Sequence, residues 1–485
     1  MRARGRRMPR PALLASAGVL ALLLAGCTGG GGQVAASSPP PTPGQASAPA
    51  SPMPSPSVTA TAPIAATPLW ASYHGDQART GAAPGPSPAS VRQLWKADLG
   101  AQVFGQPVVI GSRVIAGTES DEVVALDRTS GKKLWQYTLG TPLRDVQAKA
   151  GCGNIDPLGI TSSLAIDPQR GEVFAVGEVV DDRGVVHHHL VGLAVATGDV
   201  MLSEDVDPPL RTGEKSVHLL QRAGLALGNG RVYIGYGGNI GDCGYYHGWL
   251  VGASETAKGD LVSFKVAPDG EGGAIWLSGG APAIGADGSV YVTTGNANPF
   301  PPGRDRLQYT ESVVKLTPDL KVARAFKDPD AGGDEDLATG NPMLLPGGIV
   351  FAVGKTDVGY ALRASDLSRV AEVRGVCGSD PDGGPAFDAA TARLFIPCRG
   401  GGIQVISTGS WTLGPRFAGA NSAPIVVGSS LWATSYPEGG LVELDTRSGQ
   451  RRQSIATGPV PNFATPSFAG GALILGTRAG VVAFG

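Results

Sequence analysis

The side chains able to do chemistry fall into a few clusters. Asp156, Asp242 and His247 lie in Gly-rich stretches beside Cys152 and Cys243, with Tyr245 among them. Two carboxylates and an imidazole brought together would make an acid–base group. Taken singly, Asp156 and Asp242 are turn-capping residues. Asp334, Glu335 and Asp336 form an acidic edge that faces solvent or, beside a channel, holds a cation. His187, His188 and His189 resemble a metal tract. On a strand, however, neighbours point to opposite faces, so only His187 and His189 could share an ion. The run Asp328-Pro-Asp330-Ala-Gly-Gly333 starts like a Ca²⁺ loop, but Gly332 stands at the fifth position and no Glu follows at the twelfth. There is no Gly-x-Ser-x-Gly, no Walker loop and no Cys-x-x-Cys. No metal site and no catalytic residue is assigned, and the face carrying these acids is read as a candidate binding surface.

The elements that must position them are strands. Gly contributes 73 of 485 residues, well above the usual share of about 7%. Charged residues are 16% and hydrophobic ones 42%. That composition disfavours helical bundles and suits short strands joined by tight turns. A repeat runs from Gly105 to the C-terminus: Gly105–Trp135, Gly159–Leu202, Gly224–Trp276, Gly280–Phe326, Gly340–Val373, Gly384–Phe417 and Ala423–Ile455, with a truncated copy at Ala464–Phe484. Each reads strand, turn, strand, turn, strand, tight turn, strand. In the best copies the tight turn is Leu126-Asp127-Arg-Thr-Ser-Gly131 and Leu444-Asp445-Thr-Arg-Ser-Gly449. The Asp caps the turn and the Gly supplies a positive φ. An aromatic follows, as Trp135, Trp276 or Trp411, with Trp95 in the same role ahead of the first copy.

Four-stranded sheets of this kind cover one another when stacked radially. The expected fold is all-β: an eight-bladed propeller over residues 69–485, with Val91–Asp98 completing the C-terminal blade. Seven blades is the alternative. The extra residues fall before the first strand of a blade (141–158, 327–339) or between its second and third strands (177–187, 236–259, 296–310), and these loops share one face. Cys152 and Cys243 sit in insertions of neighbouring blades there; Cys377 precedes blade six and Cys398 ends its second strand, again on that face. Three pairings are possible; Cys152–Cys243 and Cys377–Cys398 are expected, with a zinc site as the alternative.

The first residues are an address. Five Arg precede the apolar run Ala12–Leu24, which is too short to span a bilayer, since that takes about 20 residues. It fits a signal peptide over residues 1–26. Leu24-Ala25-Gly26-Cys27 resembles the bacterial lipobox, which implies lipidation of Cys27 and a membrane anchor. Residues 27–68 are a Pro/Ala/Ser/Gly tether without a charge. Without the signal, the net charge is about −7, so no basic footprint for nucleic acid is visible in the mature part.

The unit Ala125-Leu-Asp-Arg-Thr-Ser-Gly-Lys-Lys-Leu-Trp135 resembles the repeat of PQQ-like (quinoprotein alcohol dehydrogenase-like) propellers. Trp70-Ala-Ser-Tyr-His-Gly-Asp-Gln-Ala-Arg-Thr-Gly81 is similar to their opening. Cys152–Ile160 and Gly241–Trp249 look like a secreted subgroup of such lipoproteins. The resemblance implies either a quinoprotein dehydrogenase using PQQ and Ca²⁺ or a scaffold of the BamB type. Many of the dehydrogenases place two adjacent cysteines over the quinone, and here no two are adjacent. The leading expectation is therefore a monomeric, extracytoplasmic, lipid-anchored binding protein without a cofactor. Its ligand is a protein or an envelope glycan, and the alternative is a PQQ-dependent oxidoreductase.

Overall fold

The computed structural model describes residues 68–297 and 308–485. The signal peptide, Cys27 and nearly all of the tether lie outside the described residues. The rest is an eight-bladed propeller of antiparallel sheets, so the seven-blade alternative falls. The inner strands are Val108–Ile110, Ala165–Asp167, Ala226–Gly228, Ala283–Ile284, Met343–Leu345, Ala386–Asp388, Ile425–Val427 and Ser467–Ala469. The last blade takes its outer strand from the other end of the sequence. Gln93–Asp98 pairs antiparallel with Gly480–Phe484, which closes the ring and removes its open edge.

Adjacent blades are fastened at their outer corners. Asp127 accepts from the backbone and hydroxyls of Thr129 and Ser130 at 2.7–3.2 Å, and Asp445 caps its turn likewise through Ser448. Gly131 has φ 69°, and a Cβ there would stand 2.6 Å from the Trp95 ring of the preceding blade. Trp95 Nε1 donates to Arg128 O at 2.8 Å. The pattern repeats where Trp135 lies on Gly198 and Phe417 lies on Gly449. Trp276 departs from its expected place. The outer strand of blade 3 is Leu261–Lys265, and Trp276 lies beyond it, tilted against Phe463 with centroids 5.8 Å apart.

The opening segment lines the central channel. Pro68–Trp70 pairs antiparallel with the inner strand of blade 1, with Pro68 opposite Ile110. Ala71, Gln77, Ala78, Thr80 and Gly81 then present carbonyls to the inner-strand amides of Ile166, Ile284, Leu344, Phe387 and Val426 at 2.8–2.9 Å. Gln77 Nε2 donates to Leu227 O at 3.1 Å. Ala82–Ala83 leaves parallel to the inner strand of blade 7. One segment therefore satisfies edge groups on seven blades that would otherwise be buried unpaired. Its centre is filled by Tyr73 stacked on His74, centroids 4.2 Å apart. Arg79 is fully buried, donating to Pro282 O, Ser72 Oγ, Tyr73 O and Asp76 O.

The two faces of the ring differ. Turns joining first to second and third to fourth strands are short and make a plain face. The insertions make the other face, where Leu143, Val146, Ile155, Leu158 and Val186 form a separate apolar cluster around the helix Val146–Ala150. Cys152 is bonded to Cys243 within this cap, and Cys377 to Cys398 beside blade 6.

Arg79→Ala removes four hydrogen bonds from a charged group and leaves three carbonyls and a hydroxyl without that partner. It should lower unfolding stability by about 3 kcal/mol or more, read as the urea midpoint. An unchanged midpoint would show that the channel segment is dispensable.

Candidate functional site

The channel opens to the insertion face through a mouth built by residues just ahead of the inner strands. Arg222 reaches across it. Its guanidinium lies 5.5 Å from the Phe104 centroid and 5.2 Å from that of Phe463, a cation held between two rings. It donates to Thr161 O at 3.4 Å and Asn462 O at 3.1 Å. Burial pulls its pKa down to about 10, opposed by the charge of Glu119, so it stays cationic at neutral pH. Gly279 completes the rim, where a Cβ would meet the guanidinium at 2.7 Å.

Beside the mouth, the seam between blades 1 and 2 holds three buried carboxyls: Glu119, Asp121 and Glu178. Glu119 Oε2 accepts from Gly159 N at 2.9 Å and Thr161 Oγ1 at 3.0 Å. Both Asp121 oxygens, Glu119 Oε1 and Glu178 Oε1 have no partner. Burial pushes Asp121 up to about 9, helped by Glu119, and Glu119 up to about 7. Burial and the two neighbouring acids raise Glu178 as well. Three carboxyls so placed cannot all ionise. His188, also fully buried, faces this seam at 3.9 Å from Glu178 and binds Asp207 through Nδ1 at 2.8 Å.

The histidine tract divides as strand alternation requires. His187 pairs with Asp207 at 3.1 Å, while His189 contacts Asp205 and Ser203, each at 2.8 Å. Asp207 thus serves both His187 and His188, one oxygen to each ring, and Asp205 serves His189. Asp328 is held by Tyr360, Thr356 and the Asp330 amide. Among the described residues, no group of three His, Cys, Asp or Glu is arranged to hold a metal.

The acids singled out from the sequence do not converge. Asp156 is exposed. Asp242 accepts from Tyr246 at 2.5 Å. His247 is buried against Glu214, which also binds Lys265 at 3.1 Å. Tyr245 lies edge-on to His247, centroids 5.3 Å apart, and remains 39% exposed. Asp334 and Asp336 share Lys355 at 2.6 and 3.0 Å. Asp336, unlike Asp334, is nearly buried and accepts from Asn296 N; Glu335 beside them is partly exposed. Asp156, Asp242 and His247 thus form no acid–base group, and the acidic edge is solvated only in part, since Asp336 is buried against Lys355 and Asn296.

Arg222, Glu119, Asp121 and Glu178 were missed because none belongs to a spaced motif. The available signal was a charge inside an apolar run, as in Val173-Phe-Ala-Val-Gly-Glu178-Val-Val.

A stacked quinone does not fit this mouth. Arg222 already fills the space between Phe104 and Phe463, and each disulfide joins cysteines well separated in sequence, by 91 and 21 residues.

Residues 87–293 match the family described as outer membrane protein assembly factor BamB. Among curated proteins, none matches the chain. Among solved structures, the quinohemoprotein alcohol dehydrogenase of Comamonas testosteroni superposes with a TM-score of 0.67 at 14% identity, covering 87% of this chain and 80% of that one. A second quinohemoprotein alcohol dehydrogenase, ADHIIG of Pseudomonas putida HK5, gives 0.68 at 14%, covering 86% and 80%. BamB of Moraxella catarrhalis gives 0.55 at 13%, covering 81% and 97%. At these identities the likeness is one of fold.

The buried carboxyls keep protons that the unfolded chain releases near pH 4. Their contribution is therefore full below that pH and is lost as pH rises through about 7 and about 9. Asp121→Asn should gain on the parent between pH 5 and pH 9, on the order of 2 kcal/mol, in urea titrations. Parallel curves for the two proteins would refute the assignment.

Proposed function

We propose that this propeller, similar in fold to BamB and to the quinohemoprotein alcohol dehydrogenases, is an extracytoplasmic binding scaffold. The working surface is the insertion face. The observation that carries this reading is the cap: insertions from several blades gather on one side, with their own apolar cluster and a disulfide. A folded cap leaving Ile240 62% and Val185 49% exposed offers apolar anchors of the kind partners use. The chemistry favours a protein partner over a glycan, because these anchors are aliphatic. Two disulfides support an oxidising compartment, and the Cys27 lipobox supports anchoring there through lipid.

The competing reading, a PQQ-dependent oxidoreductase, requires Arg222 to leave its sandwich. The candidate residues for partner contact are Tyr245 and Ile240, while Asp242, His247 and Asp336 hold the loops in place.

A photo-reactive residue at Ile240 or Tyr245 should crosslink a discrete partner in the native envelope, and Ile240→Asp should reduce its yield by about tenfold. The same product from a probe at Leu413 on the outer rim would refute use of this face. PQQ with Ca²⁺ should give neither bound quinone absorbance nor a rise in Tm; either one would reverse the assignment.

A further inference from the structure

The plain face has a distinct surface chemistry. Blades 7, 8 and 1 are neighbours in the ring, and their plain-face corners carry Arg447, Arg451, Arg92, Lys132 and Lys133, all exposed. None of the five is ion-paired to a described residue. Of the acids of this sector, Asp445 pairs with Arg452 and Glu443 is buried against Ser430, Gln453 and Arg452, while Asp127, which caps its turn, keeps its charge against the five cations.

Apolar side chains accompany the charge. Leu94, Leu134, Met201, Leu261, Val370 and Leu413 are exposed by 38–63%. Each is the first or second residue of an outer strand, where that strand leaves the plain face. Six of the eight blades therefore carry an exposed aliphatic group at the same corner. Pro68, the first described residue, stands opposite Ile110 at the plain-face end of its strand.

We propose that the plain face is a membrane-contact surface that rests on an anionic bilayer, with the basic corners of blades 7, 8 and 1 on lipid phosphates and the rim aliphatics at the acyl boundary. Basic residues interleaved with aliphatic ones on a single face are the chemistry of interfacial binding. The insertion cap then points away from the bilayer. The proposal does not depend on lipid at Cys27.

The test uses the mature chain, residues 27–485, carrying Cys27→Ser so that no lipid can attach. Residues 27–67 have no charged side chain and cannot supply the attraction. The chain should co-sediment with phosphatidylcholine vesicles containing phosphatidylglycerol, and not with phosphatidylcholine alone, and should be released by salt. The triple variant K132E/R447E/R451E should lose about 100-fold in affinity with its Tm unchanged, while Lys149→Glu on the insertion face should leave binding unchanged. Equal binding by the triple variant, no binding at low salt, or preference for a soluble polyanion such as heparin over the vesicles would each overturn the proposal.

Discussion

The ring depends on an aromatic ring laid over a glycine. Trp95 on Gly131, Trp135 on Gly198 and Phe417 on Gly449 each join the outer strand of one blade to the turn of the next. A Cβ at these turns would fall at 2.2–2.8 Å from the ring, so the contact exists only because the position carries none. The same Gly supplies the left-handed backbone that the turn needs, and at Gly131 and Gly449 the Asp four residues earlier fixes the turn that presents it. Sheet-to-sheet packing along the seams, and the level at which each blade places its loops, follow from this outer fastening.

The inner circumference has the opposite problem. Inner strands turn their edges toward a channel, and edge amides out of reach of water must find acceptors. The opening segment supplies them and brings Tyr73, His74 and Arg79 into the bore. Arg222 with its two phenylalanines fills the mouth above. The channel is thus furnished with the chain's own side chains, and the exposed apolar groups Ile240 and Val185 lie outside it, on the cap. Beside the mouth, burial outweighs the hydrogen bonds to Glu119 and raises it to about 7, and burial with Glu119 raises Asp121 to about 9.

Much of this was legible in the sequence. Asp127-x-x-x-Gly131 announced the turn, Gln93–Asp98 was identifiable as the missing strand, and the unequal spacing of repeats located the insertion face. What escaped has a common cause. Trp70–Gly81 was readable only as a family-like opening because it pairs with seven different strands and so has no period of its own. Trp276 carried the right residue type at the wrong level of the blade. Arg222 and Glu178 act singly, and a single charge in an apolar run marks burial without naming its neighbours. His247 and Asp242 were placed together by proximity in sequence, yet each found a nearer partner in Glu214 or Tyr246.

Ring closure by strands from both ends of the chain also orders events in time. Gln93–Asp98 is synthesised long before Gly480–Phe484, its partner, and the channel segment precedes every inner strand it serves. The first part of the body to emerge must wait, unpaired, for the last. Contacts of such sequence separation form slowly. A chain interrupted anywhere after blade 1 therefore lacks both its closing partner and the ring that its opening segment is meant to line, so the ring is complete only once the strand at Gly480–Phe484 has been made.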